Sequence, residues 1–211
     1  MTLTKYEHAC LILEEGGTKL VVDPGQFSPS LPNVDNVSAI VITHVHTDHI
    51  DERKVKQIIT DNPDVKIFST KEVVDTFQNL DVIVVEPGGM HQIGPFTLAF
   101  FGGEHATIHP SFPKTQNVGV LINSILYYPG DSFALPGRPI KVLAAPAAAP
   151  WLKVSEAMDF ISEVKPELAF PTHDAILSNE GKQVFDNMLE PFAKQAGTTY
   201  QRLKTGQSIT L

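Results

Sequence analysis

His44, His46, Asp48 and His49 fall within six residues of one another. In an extended backbone, side chains two apart share a face, so His44 and His46 can reach one cation together. Asp48 keeps that parity and His49 breaks it. These last two therefore suit a second cation beside the first. Imidazole nitrogen combined with carboxylate oxygen favours zinc among the common ions; manganese, iron and nickel accept the same donors. The plain alternative is a polar surface loop that happens to be rich in histidine, and three imidazoles with a carboxylate so closely spaced argue against it. One loop cannot close two metal sites. Further ligands are therefore expected downstream, each at the end of a strand.

The elements that must position such ligands can be read from the hydrophobic pattern. Residues 38–42 are an apolar run that reads as a buried strand delivering the histidine loop to a sheet edge. Strands are also expected at 9–13 and 19–22, the second ending in Asp23, Pro24 and Gly25. Asp23 is expected either to orient a histidine or to form an Asx turn before the proline. His8 stands just before a strand, beside the site or facing substrate on one reading, on the surface on the other. An amphipathic helix over 51–59, a strand over 65–68, a helix over 71–78 and a strand over 81–85 alternate, which indicates an α/β fold. From 90 to 128 the pattern turns to consecutive strands. One of them, 96–101, leads through Gly102 and Gly103 to His105, the first downstream candidate. His109 is its competitor, in a proline-flanked loop expected to cover the site mouth. His91 heads a short strand and reads as structural or exposed. A hairpin over 117–128 ends at Gly130 and Asp131, whose two carboxylate oxygens can bridge two cations. A strand over 141–145 leads to a loop bearing Trp151, expected to pack under that loop, the alternative being a place beside an apolar substrate pocket. Ser155 is the expected N-cap of a helix over 156–164. A strand over 167–170 runs toward His173, the last candidate. A helix over 179–196 and two short strands close the sequence.

The 211 residues, 42% hydrophobic, suit one domain spanning 1–211 with a substantial core. A formal net charge of −8 with no basic run excludes a phosphate-backbone binder, so no nucleic-acid partner is expected. Cys10 is the only cysteine, which rules out an internal disulfide and suggests a cytoplasmic setting. Its apolar neighbours make it a buried, inert thiol. No apolar stretch approaches the ~18 residues of a membrane span, and the first residues lack the features of a secretory signal.

The set His44, His46, Asp48, His49, His105, Asp131 and His173 resembles that of the metallo-β-lactamase superfamily. The His-x-His-x-Asp-His loop, the lone histidine after a strand, the Gly-Asp turn and the late histidine carry the resemblance, which runs from Asp23 to His173. Within it, the chain is most similar to the compact branch of metal-dependent hydrolases that includes ascorbate-phosphate lactonase-like proteins. The resemblance implies a four-layer αββα sandwich of two mixed sheets with outer helices. It implies that His44, His46 and His105 hold one divalent ion, that Asp48, His49 and His173 hold another, and that Asp131 bridges them. The expected activity is hydrolysis of an ester, lactone or phosphodiester of a small molecule by a metal-bridging hydroxide, with zinc the first choice of metal. Asp48 is then also a proton acceptor, and His109 or His8 the candidate for protonating the leaving group. A homo-oligomer stays open. The rivals are a non-catalytic metal-dependent binding or sensing module and a diiron redox protein.

Overall fold

The computed structural model describes residues 1–211. In chain order its elements are β1 (Thr2–Lys5), β2 (Leu11–Glu15), β3 (Thr18–Val22), β4 (Val37–Val41), α1 (Glu52–Asp61), β5 (Lys66–Ser69), α2 (Lys71–Thr76), β6 (Val82–Val84), β7 (Met90–Ile93), β8 (Phe96–Glu104), β9 (Gln116–Ile122), β10 (Leu126–Tyr128), β11 (Val142–Pro146), α3 (Val154–Val164), β12 (Leu168–Thr172), α4 (Asn179–Gln195), β13 (Thr199–Tyr200) and β14 (Gln207–Thr210). The strands form two seven-stranded sheets, ordered β14-β1-β2-β3-β4-β5-β6 and β13-β12-β11-β10-β9-β8-β7. Both are mixed. β3 to β6 run parallel, as do β10 to β13, and the remaining pairs are antiparallel.

The layer order follows from the two-residue period of the strands. In β4, Ala39 and Val41 face inward into a core shared by both sheets, with Leu13, Phe100, Val120 and Phe170. Ile40 faces outward and packs with Val55 and Ile58 of α1 and Val73 of α2. The second sheet repeats the arrangement. Leu121 and Leu143 meet Phe160 and Ile161 of α3 and Leu189 and Ala193 of α4. A strand covered on both faces must be apolar throughout, which is why 38–42 shows no alternation. The molecule is the expected αββα sandwich. No helix is long and apolar enough to cross a membrane.

Several boundaries differ from the sequence reading for local reasons. α1 starts at Glu52 because the Asp51 carboxylate accepts the Arg53 N–H at 3.0 Å. α3 starts at Val154, two residues ahead of expectation. Ser155 lies inside its first turn, and the cap is Lys153, whose N–H donates to the Glu156 carboxylate at 2.8 Å. β8 continues through Gly102 and Gly103, both at positive φ, as far as Glu104. The 71–78 helix ends at Thr76 and β12 runs on to Thr172.

Candidate metal centre

Four strands deliver the candidate residues to one edge of the sandwich. β4 leads into the 43–49 loop, β8 into His105, β10 into Asp131 and β12 into His173. The two sheets are joined at that edge, where the Val118 N–H donates to the Thr43 carbonyl at 3.0 Å. The histidine loop is also clamped from the β3 side. Gln26 N–H donates to the Thr47 carbonyl at 2.8 Å and Asp51 N–H to the Pro24 carbonyl at 3.0 Å. Gly25 lies flush against this loop. A Cβ there would stand 1.8 Å from the Asp48 carbonyl oxygen, so no other residue fits.

All seven candidates meet. His44, His46 and His105 form one group, and Asp48, His49 and His173 form a second, joined by His8; in each the ligand atoms lie within 4.8 Å of one another. Asp131 sits between the groups. Its Oδ1 is 3.1 Å from His49 Nε2, and its Oδ2 is 3.3 Å from His105 Nε2 and 3.0 Å from His173 Nε2. Asp48 Oδ2 is 3.2 Å from His173 Nε2.

Hydrogen bonds fix which nitrogen of each ring faces the centre. His49 Nδ1–H donates to Asp23 at 2.7 Å, His105 Nδ1–H to the Ala106 carbonyl at 2.5 Å, and His173 Nδ1–H to the Ala148 carbonyl at 2.6 Å. The Thr43 hydroxyl gives its single proton to Asp23 at 2.7 Å, so at 3.0 Å it accepts from His44 Nδ1. Four rings are thereby turned with Nε2 inward. These four Nε2 atoms and Asp131 Oδ1 are buried without a hydrogen-bond partner. Buried polar atoms are satisfied almost everywhere in proteins, and five orphans shared between two adjoining groups around Asp131 fit a site for cations. The nitrogen and oxygen donor set fits a divalent transition metal.

The electrostatics agree. Burial, reinforced by the neighbouring His49 and opposed by Asp131, pushes His44 well below the usual imidazole range. Burial pulls His173 down too, but the Asp131 charge, with Asp131 and Asp48 oxygens 3.0 and 3.2 Å from Nε2, outweighs it and holds it at about 9. Burial likewise opposes a proton on His49, and Asp131 with Asp23 overrides it and raises the ring well above its ordinary value. Without a cation, protons on these two rings compensate the carboxylates.

The sequence left Asp23 between two roles, and the structure gives it the orienting one. It is fully buried, with φ of 45°, and accepts from Thr43 N–H, Thr43 Oγ1, His49 and the Tyr128 hydroxyl. His8, also at positive φ, receives the Ala175 N–H on Nδ1 at 3.3 Å and so donates from Nε2 to Asp48 Oδ2 at 3.0 Å. Burial drives its pKa down to about 4, leaving a neutral donor that orients Asp48. His109 is not brought to the centre: it is exposed, with Nδ1 accepting the Ser111 N–H at 3.1 Å. The loop bearing it encloses a cavity of about 340 Å³ that reaches the cluster through His105. Three contributors escaped sequence reasoning. Trp151 does more than pack, because its indole N–H donates to Asp131 Oδ2 at 2.9 Å. Tyr128 backs Asp23. Asn117 holds the 129–131 turn, accepting the Asp131 N–H at 3.0 Å and donating to the Pro129 carbonyl at 2.9 Å. Nothing local singled out the last, because Asn117 follows Gln116 at the polar start of β9.

Comparison with known proteins agrees with this architecture. A family model described as a beta-lactamase superfamily domain matches residues 2–173. Protein Rv0786c of Mycobacterium tuberculosis is 34% identical over 215 residues, covering 100% of both chains. A UPF0173 protein of Pyrococcus furiosus is 26% identical, over 87% of this chain and 88% of its own. Among solved structures, Igni18, a metallo hydrolase from Ignicoccus hospitalis, superposes with a TM-score of 0.75 at 22% identity, covering 99% of this chain and 97% of its own.

Proposed function

From the premise that this chain belongs to the metallo-β-lactamase superfamily, as the match across residues 2–173 establishes, we propose that it is a hydrolase working with two divalent metal ions, most simply zinc. The observation that carries this reading is that five buried, unpartnered polar atoms lie in two adjoining groups of ligand atoms around Asp131. His44, His46 and His105 would hold one ion and Asp48, His49 and His173 the other, with Asp131 shared. The ions, when bound, supply Lewis acidity toward a carbonyl or phosphoryl oxygen and lower the pKa of water.

The chain's own residues do the rest. Thr43, Asp23, Ala106 and Ala148 hold Nδ1 of His44, His49, His105 and His173, so each Nε2 faces the centre without the ring having to turn. Trp151 takes one lone pair of Asp131 Oδ2 and fixes the carboxylate plane between the groups. Asp48 is the one carboxylate of the cluster open to solvent, with 19% of its side chain exposed. It is therefore placed to accept a proton from a water approaching the centre, and the neutral His8 N–H keeps its oxygen aimed there. His8, neutral and with its one N–H committed to Asp48, holds that carboxylate and has no proton to pass to a leaving group. The scissile bond belongs to an ester, lactone or phosphodiester of a small molecule. A reducing, cytoplasmic setting suits a chain whose single thiol, Cys10, is buried and pushed up to about 12 by burial.

The test is elemental analysis of protein purified without chelator, beside hydrolysis of chromogenic phosphodiesters, esters and lactones. About two ions per chain and turnover of one bond class are expected. Less than one ion per chain after supplementation, with no turnover, would refute the reading.

A further inference from the structure

α4 carries two apolar stripes, and only one of them has a partner. Of its 17 residues only Leu189 and Ala193 are buried, both against the second sheet and α3. At 3.6 residues per turn, Gly181, Val184, Met188 and Pro191 lie on the opposite side, at alternating spacings of three and four. Val184 is 50% exposed and Met188 45%. Phe185 and Phe192 each follow a member of this outer stripe by four residues and widen it along one flank. Both are half-buried, and neither belongs to the core cluster that Leu189 and Ala193 join. Alternation of three and four is the spacing of the contact seam between two packed helices. The other flank of the seam is polar, with Glu180, Asn187 and Lys194 at intervals of seven, all exposed. Glu180 lies in the first turn of the helix and Lys194 in the last.

That flank is complementary to itself in one arrangement. Glu180 and Lys194 stand seven residues to either side of Asn187. In an antiparallel helix pair with a two-fold axis at Asn187, Glu180 therefore meets Lys194 of the other copy, Lys194 meets Glu180, and the two Asn187 amides meet each other. Val184 comes to face Pro191 of the other copy, and Gly181, lacking a side chain, lets the helix surfaces approach. The antiparallel order also sets opposite ends of the two helix dipoles side by side, whereas a parallel pair would align them and bring like charges together. We infer that the outer face of α4 is the interface of a two-fold homodimer, packed antiparallel on α4 of a second copy of this chain. Two helices of this length bury on the order of 1,000 Å², the lower end of specific interfaces, so the dimer dissociates on dilution. The face lies outside the metal centre, and the inference is independent of the hydrolase reading.

The test is sedimentation equilibrium of the full chain at low salt, over roughly 1 to 200 μM. The wild type is expected to pass from one chain to two across that range. Val184→Lys/Met188→Lys changes two exposed side chains, so its melting temperature stays near that of the wild type while it remains a monomer throughout. Two charge reversals then test the arrangement. Glu180→Lys places Lys against Lys across the axis and Lys194→Glu places Glu against Glu, so each variant alone should dimerise about tenfold more weakly. Mixed in equal amounts, the two pair Lys with Glu at both ends, and dimerisation should recover. A defect in folding would not be repaired by mixing. A wild type that stays monomeric up to the highest concentration overturns the inference and leaves the face to a different protein. A dimer that survives Val184→Lys/Met188→Lys is built on another surface and overturns it as well. A dimer lost in that variant but indifferent to the charge reversals, singly and mixed, overturns the antiparallel arrangement.

Discussion

At the scale of the residue, four of the imidazoles of the cluster turn Nε2 inward because their Nδ1 is bound, and His46 stands without such a partner. This separates two kinds of substitution. His46→Ala removes a donor itself; its ring lies edge-on to His44 and His105 at 4.8 Å and makes no hydrogen bond that competes with a cation. Metal content should fall by about half or more and turnover should be lost, as mass spectrometry and the chromogenic assay would report. Asp23→Asn touches no cation yet leaves His49, Thr43 and Tyr128 contending for a poorer acceptor. Loss of such an outer partner costs about 10- to 100-fold in metal affinity. Competition against a chelator dye should show that range, with stoichiometry intact at saturating metal. An affinity unchanged by Asp23→Asn would mean that the His49 tautomer is set elsewhere.

At the scale of the element, the site is where four strand ends and one clamped loop coincide, and this decides what could be read from the sequence. The parity of His44, His46 and Asp48, the glycines before His105, the Gly-Asp turn and the strand before His173 are local signals, and all seven residues do meet. The orienting partners are not local. Tyr128 reaches Asp23 across 105 positions and Trp151 reaches Asp131 across 20, through sheet packing that no periodicity encodes. The alternation of buried strands and amphipathic helices indicated an α/β fold, whereas the layer order came only from the family resemblance. The start of α3 was not legible, since a Glu156 side chain returning to the Lys153 N–H caps it without a Ser or Thr. The clamp supplies its own prediction. Gly25→Ala drives a methyl into the Asp48 carbonyl, so the 43–49 loop must shift. A destabilisation of about 1–3 kcal/mol is expected, with metal affinity reduced although no ligand is altered. Thermal unfolding of the stripped and loaded variant measures both. A Gly25→Ala protein with wild-type stability and metal affinity would show that the loop is not held from this side.

At the scale of the whole molecule, the buried charges of the centre tie metal, protons and folding together. His173 is held at about 9 and His49 well above its ordinary value, so in the metal-free protein both carry protons at neutral pH. A group whose pKa is raised on folding contributes stability that is complete below its unfolded value, near 6.5 for histidine, and is lost as the pH climbs through its folded value. The stripped protein should therefore lose melting temperature between about pH 6.5 and about pH 9.5, leaving Asp131 and Asp48 uncompensated in the interior. Metal binding has the opposite dependence. It requires those imidazoles deprotonated, so loading releases protons at neutral pH and grows tighter as the pH rises. Stabilisation by a ligand follows its affinity, so the gap in melting temperature between loaded and stripped protein should widen over the same interval. Scanning calorimetry of both forms at three pH values, with proton release followed in two buffers of different ionisation enthalpy, checks each limb. A stripped protein that gains stability toward pH 9, or a gap that narrows, would show that the carboxylates are compensated by something other than protons on His49 and His173.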